Sequence, residues 1–269
     1  MGYLLSDKQI IDFIIKGYLI IKPTFKPGFH ESVLSNLDAL NISLDNNPGN
    51  QILEKVPQLQ EVWDHPEVKG ILESLLGSDF AMAAHRHCHL NFPGTRSQVW
   101  HQDGINFRHN TIRKLLGMYY PQTVTKNMGS TALVPGTHFR NAPSDRMASY
   151  GNFKGQVLAI VEAGSILIAH YDIWHAATAN TSDKNRYMLK FLFERKSDPI
   201  DPSWDYKFDD LAVEIKRITK ERLGPFTLGS NTDWYKERIL RSEMLEHMLG
   251  LNIKIEAMPP DFNDYILKT

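Results

Sequence analysis

A mainly β core with helices before and after it is the fold class that the sequence predicts, and three observations carry it. Between residues 78 and 195, short apolar runs are separated by Gly, Pro and Asn turns, with no helical run between them. Before that stretch and beyond Pro202, apolar residues fall at helical spacing instead. No internal repeat or low-complexity tract interrupts the order. Strands at this density argue for a sandwich or barrel. The 269 residues suit one domain, with helical and strand elements at 5–77, the core at 78–195 and a mainly helical extension at 196–269.

Taken in order, Ser6 and Gln9 form a capping box that starts a helix over Asp7 to Lys16, apolar at Ile10, Ile11, Phe13, Ile14 and Ile15. Gly17 ends it, and Tyr18 to Ile21 reads as a strand stopped by Pro23. Helices are expected over Gly28 to Leu40 and over His65 to Leu76, the latter closed by Gly77. Asp45 to Asn50 is a turn-rich surface loop. Strands follow at Phe80 to Leu90, Lys114 to Tyr120, Gln156 to Val161, Ser165 to His170 and Arg186 to Arg195. The polar stretch His138 to Gly155 reads as a long mobile loop, and Asp233 to Leu249 as the clearest late helix.

Composition excludes several classes. A formal net charge of −1 gives no nucleic-acid footprint. The single cysteine, Cys88, rules out an internal disulfide framework and a Cys-rich zinc site, and it fits a reducing, cytoplasmic compartment. The most apolar early stretch, Ile10 to Ile21, is broken by Asp12, Lys16 and Gly17 and has neither the length of a membrane span nor a signal-peptide leader. The first six residues match the loose myristoylation pattern, but helix capping accounts for Ser6. The expected partner is a small-molecule substrate, with no nucleic acid and no membrane.

Chemistry concentrates in two segments. In Trp100-His101-Gln102-Asp103-Gly104, extended backbone points alternate side chains to the same side, so His101 and Asp103 can converge on one ion. A lone HxD pair is weak on its own. The second segment runs strand, turn and second strand from Gly164 through His170 to His175, then a polar hairpin opening a third strand with Arg186. Two histidines and one carboxylate on one face of iron leave positions for a bidentate co-substrate and O₂. Arginine adds a planar fork that matches a carboxylate. Together these are the parts needed to bind Fe(II) and a 2-oxo diacid.

The order of motifs resembles the phytanoyl-CoA dioxygenase-like oxygenases: the HxD pair, then Asn127-Met128-Gly129-Ser130 leading into Pro135-Gly136-Thr137-His138, then His175 with Arg186 eleven positions later. The opening from Leu5-Ser6-Asp7-Lys8-Gln9 through Gly17-Tyr18-Leu19-Ile20 is similar to that family's N-terminus, and the resemblance spans residues 5 to 195. It implies a double-stranded β-helix (a cupin-like jelly roll) in which His101, Asp103 and His175 hold Fe(II) and Arg186 binds 2-oxoglutarate. The implied reaction couples conversion of 2-oxoglutarate and O₂ to succinate and CO₂ with hydroxylation of a C–H bond. Two positions after the distal histidine the family often carries a hydroxyl residue. Here Ala177 stands there, which leaves Thr178 or a tyrosine to make that contact, or nothing.

Other histidines compete for roles. His170, five residues before His175, is the rival distal ligand, and the family's interval to arginine selects His175. Its alternative is a buried strand-end histidine bonded to backbone. His85, His87 and His89 share one face if their segment is a strand, as pocket lining, a solvated face or a separate metal site. His138 holds a turn, and Asn180 is a turn former. With Asn106, Arg108 and His109, the three strand histidines make a donor-rich surround that favours a small polar or anionic metabolite over a long acyl-CoA. Tyr120 and Trp174 flank the site as further pocket candidates. Asp103 argues against a halogenase, which replaces that carboxylate. A metal cupin enzyme that does not use 2-oxoglutarate and a non-catalytic binding module are the other readings.

Overall fold

The computed structural model describes residues 3–43, 45–104, 109–140, 151–223, 231–250 and 255. The first helix, α1 (Asp7–Lys16), carries the capping box, with Gln9 N–H on the Ser6 hydroxyl and Ser6 N–H on the Gln9 side chain. Gly17 closes it in the left-handed conformation at φ 81°. Strand β1 (Tyr18–Ile21) follows, and then helices α2 (Phe29–Ala39), α3 (Ile52–Lys55), α4 (Gln58–Asp64) and α5 (Pro66–Leu76). Of these, α3 and α4 carry no capping signal strong enough to be read in advance. The Asp45 to Asn50 loop also holds the sheet, since Asn47 donates to Cys88 O at 2.9 Å and Asn50 accepts from Arg86 N at 2.9 Å. These side chains cover the free edge of the next strand, β2 (Ala81–Asn91).

The core strands are β2 (Ala81–Asn91), β3 (Lys114–Tyr119), β4 (Thr131–Leu133), β5 (Val157–Leu158), β6 (Ile166–His170), β7 (His175–Ala177) and β8 (Arg186–Glu194). A larger antiparallel sheet runs β1-β6-β3-β8-β2, and a smaller one runs β5-β4-β7. His101 extends the smaller sheet through an antiparallel bridge to His175. Together they form the double-stranded β-helix core. The expected strand over Gln156 to Val161 is cut to Val157–Leu158, because Ile160 N–H turns back to Leu158 O and leaves Ile160 exposed. Pairing resumes only at the Val124–Val161 bridge.

Both faces of the larger sheet are buried. One packs under the N-terminal helices, with Trp63 of α4 against Phe191 and Phe193 at ring separations of 4.8 and 5.2 Å. The other packs on the smaller sheet through Leu116, Met118, Leu167, Met188 and Leu192. Alternation along β8 therefore sends Tyr187, Leu189, Phe191 and Phe193 to the helices, and Arg186, Met188 and Lys190 into the barrel. The long loop begins as a buried turn at Thr137–Phe139, while its 141–150 portion lies outside the described residues. After β8 come α6 (Phe208–Glu214), α7 (Lys216–Lys220) and α8 (Asn231–Leu249). Among the described residues, no helix is long and apolar enough to cross a membrane.

Candidate metal and co-substrate site

His175 opens β7, His101 lies beside it on the bridged segment, and Asp103 occupies the bend two residues on. The two backbones exchange hydrogen bonds at 3.1 and 2.9 Å, which brings the imidazole rings to 4.4 Å. Nε2 of His101 and Nε2 of His175 each stand 3.8 Å from an Asp103 oxygen. Each histidine donates its Nδ1–H to a backbone carbonyl, Val99 O at 2.9 Å and Ile173 O at 3.0 Å. A carbonyl only accepts, so Nδ1 carries the proton and Nε2 presents its lone pair toward Asp103. Burial pushes His175 down to about 4. Burial would raise the Asp103 carboxyl, but His175, Lys190 and His101 outweigh it and leave it below its usual range. The set could hold a divalent metal ion.

Arg186 sits deeper, fully buried. Its Nη2 donates to Gly129 O at 2.5 Å, whereas its buried Nε and Nη1 have no hydrogen-bond partner. Arg186 shares one cavity with His101, His175, Gln98, Asn91, Thr131 and Ala177. Unpartnered buried donors are costly, and a carboxylate is the ligand that matches this fork. Tyr120 is buried nearby and donates to Thr131 Oγ1 at 2.9 Å. Thr178 is turned aside: its hydroxyl donates to Ser130 O at 3.0 Å, and the residue does not line the cavity. Thr131, paired across the strands with Ala177, supplies a hydroxyl at the cavity wall instead.

The other sequence candidates separate. His85, His87 and His89 do share a face, with ring separations of 4.3 and 5.6 Å, but His85 is exposed and only His89 lines the cavity. Burial pushes His89 down to about 3. Trp174 points to the opposite face, in an apolar cluster with Trp100, Ala132 and Val134. Asn106 and Arg108 lie outside the described residues. His170 joins Asp172 and His109 instead of Asp103. Lys190, which donates to Asp103 Oδ2 at 2.8 Å, was not among the sequence candidates, although it stands four residues after Arg186 on the same face of β8.

Comparison with known proteins bears on the fold and the family. The uncharacterized protein Rv1501 of Mycobacterium tuberculosis H37Rv is 30% identical over 103 residues, spanning 38% of this chain and 37% of that protein's length. The non-heme alpha ketoglutarate dependent carbocyclase SnoK superposes with a TM-score of 0.56 at 20% identity, over 73% of this chain and 88% of its own. EctD from S. alaskensis, solved with 2-oxoglutarate and 5-hydroxyectoine, gives 0.57 at 14% identity, over 71% and 76%. At these identities the structures share the fold. The family model for phytanoyl-CoA dioxygenase (PhyH) matches residues 16–188. That family is Fe(II)- and 2-oxoglutarate-dependent, and the two-histidine, one-carboxylate donor set with the half-used Arg186 fork suits both groups. With its sequence matched over more than half its length, the chain belongs to the phytanoyl-CoA dioxygenase (PhyH) family.

Proposed function

We propose that the protein is an Fe(II)- and 2-oxoglutarate-dependent dioxygenase that hydroxylates a C–H bond of a small polar metabolite. The observation that carries the reading is Arg186: a buried guanidinium with two unpartnered nitrogens, in the same cavity as both histidines of the metal set. When bound, Fe(II) with 2-oxoglutarate and O₂ supplies the oxidising power, as 2-oxoglutarate goes to succinate and CO₂. His101, Asp103 and His175 hold the metal on one face. Arg186 anchors the distal carboxylate of the co-substrate, with the Thr131 hydroxyl beside it, and Met188 and Ala177 form part of the apolar wall that keeps water out.

A second cavity of about 510 Å³ starts at Asp103 and continues along His109, Thr111, Arg113, Lys114, Tyr171 and Asp172. Its size is within the usual range for a small-molecule site. His109, Thr111, Arg113 and Lys114 on its wall offer hydrogen-bond donors to hydroxyl or anionic groups of a substrate.

Succinate formation by the full chain, with Fe(II) and varied 2-oxoglutarate, tests this reading. His175→Ala and Asp103→Ala should lose Fe(II)-dependent succinate while keeping a folded circular dichroism spectrum. Arg186→Ala should raise the KM for 2-oxoglutarate by the equivalent of about 2 to 5 kcal/mol, the typical cost of breaking a buried charged pair. Arg186→Lys should recover part of that. An unchanged KM in both variants removes 2-oxoglutarate from the proposal.

A further inference from the structure

We propose that His109, His170 and Asp172 form a second divalent-cation site, of the zinc class, on the wall of the 510 Å³ cavity. In both this group and the His101–Asp103–His175 set, the ligand atoms lie within 4.8 Å of one another. The second group is the tighter one. Asp172 Oδ2 stands 2.8 Å from His109 Nε2 and 3.5 Å from His170 Nδ1, against 3.8 Å for both contacts in the first set. With zinc bonds of about 2.0–2.1 Å, ligand atoms of a tetrahedral site are about 3.3 Å apart. The observed pair of distances brackets that value.

His170 is already in the tautomer that coordination needs. His170 is 1% exposed and donates Nε2–H to Thr111 O at 3.2 Å, so its Nδ1 carries the lone pair that faces Asp172. That lone pair receives only a local contact from Asp172 N–H at 3.2 Å. Nδ1 of His109 lies 3.3 Å from both the N–H and the hydroxyl of Thr111. Thr111 N–H donates to that Nδ1, so in the metal-free protein the His109 proton sits on Nε2 toward Asp172. Thr111 O accepts from His170, and the Thr111 hydroxyl stands ready to accept from His109 Nδ1 once the proton moves there.

A second observation is independent of the histidines. Asp172 is 5% exposed, and its Oδ1 is buried with no hydrogen-bond partner. A buried carboxylate calls for a compensating cation. Among the described residues that line the cavity, the cationic side chains pair elsewhere, Arg113 with Asp198 at 3.3 Å and Lys114 with Glu194 at 3.1 Å. Without a cation, the His109 Nε2 proton bridges the cluster; a divalent ion takes its place as the proton moves to Nδ1, facing the Thr111 hydroxyl. Two imidazoles and one carboxylate favour zinc over magnesium or calcium, and they leave a fourth position open to the cavity for water or a substrate oxygen.

The second site does not depend on the iron reading, and metal stoichiometry tests it. Zn(II) is titrated calorimetrically into the metal-free full chain and its variants, with Co(II) absorption as a check on ligand geometry. Two equivalents are expected for the wild type. One is expected for Asp103→Ala, and one for each of His109→Ala and Asp172→Asn. His109 is only part-buried, so His109→Ala keeps the test valid should Asp172→Asn fail to fold. A wild type that binds one equivalent or none, or a count of two that survives His109→Ala, overturns the second site. Two equivalents without any 2-oxoglutarate turnover would remove the proposed function and leave the site standing.

Discussion

The Lys190 ammonium donates to Oδ2 of Asp103 at 2.8 Å, inside the cavity that holds both histidines of the metal set. Lys190 is 7% exposed, and its position on the inner face of β8 leaves it little room to swing into water. It keeps Asp103 ionised, but it also places a positive charge against a carboxylate that the proposed function gives to a divalent metal. At an effective dielectric of about 20, two unit charges about 4 Å apart interact by roughly 4 kcal/mol. Lys190→Met is therefore expected to tighten Mn(II) binding by about tenfold or more, since about 1.4 kcal/mol corresponds to tenfold. Equilibrium dialysis of the metal-free protein measures this. Weaker binding in the variant would show that the hold on Asp103 outweighs the repulsion.

Gly17 links three parts of the molecule. Its N–H caps α1 at Phe13 O, its carbonyl accepts from His170 N at 2.8 Å, and its Cα faces the buried His138 ring. A Cβ there would stand 2.4 Å from His138 Nδ1, and the backbone is left-handed at φ +81°. His138 cannot retreat cheaply, because its Nε2 donates to Ile14 O at 3.0 Å. Gly17→Ala is expected to cost about 3 kcal/mol or more, combining left-handed strain with overpacking. Gly28, at φ +79° with nothing within 4 Å of a built Cβ, isolates the strain term. Gly28→Ala should lose only about 1 kcal/mol in urea unfolding. Equal losses in the two variants would remove the packing argument.

How much was legible in the sequence depended on whether the signal was local. The α1 boundaries were, since Ser6, Gln9 and Gly17 are capping residues whose chemistry acts within one turn. The HxD spacing likewise marked His101 and Asp103, although a bend at Asp103 and not an extended segment brings them together, and Arg186 was placed at the start of β8. Lys190 escaped because β8 is buried on both faces, which erases the apolar–polar rhythm that would mark an inward lysine. Counting by twos from Arg186 would have found it. Thr131 and the His109–His170–Asp172 group had no such handle. Thr131 meets Ala177 only through the β4–β7 register, and the sequence places His109 far from His170. The resemblance to other family members selected His175 over His170; the structure adds that His170 has a carboxylate of its own.

The buried histidines predict how stability depends on pH in the metal-free protein. Burial pushes His170 and His175 down to about 4 and His89 to about 3, against 6.5 for an ordinary imidazole. Above pH 6.5 the folded and unfolded chains both hold these rings neutral, and their contribution is fully present. As pH falls below that value the unfolded chain takes up protons that the native state refuses, so stability declines until pH passes through the folded values. Each ring then removes about 1.4 kcal/mol per pH unit. The urea midpoint of the metal-free chain should therefore drop markedly between pH 7.5 and pH 5.5, against the flat profile that solvent-exposed histidines would give. Native His175 is already neutral at both pH values, so proton competition at this ring should not reduce the rise in midpoint that Mn(II) at a fixed concentration gives at pH 5.5 relative to pH 7.5. A midpoint that is independent of pH over this window would mean that the cluster rearranges to admit protons at little cost, and burial would then not be what holds these rings neutral.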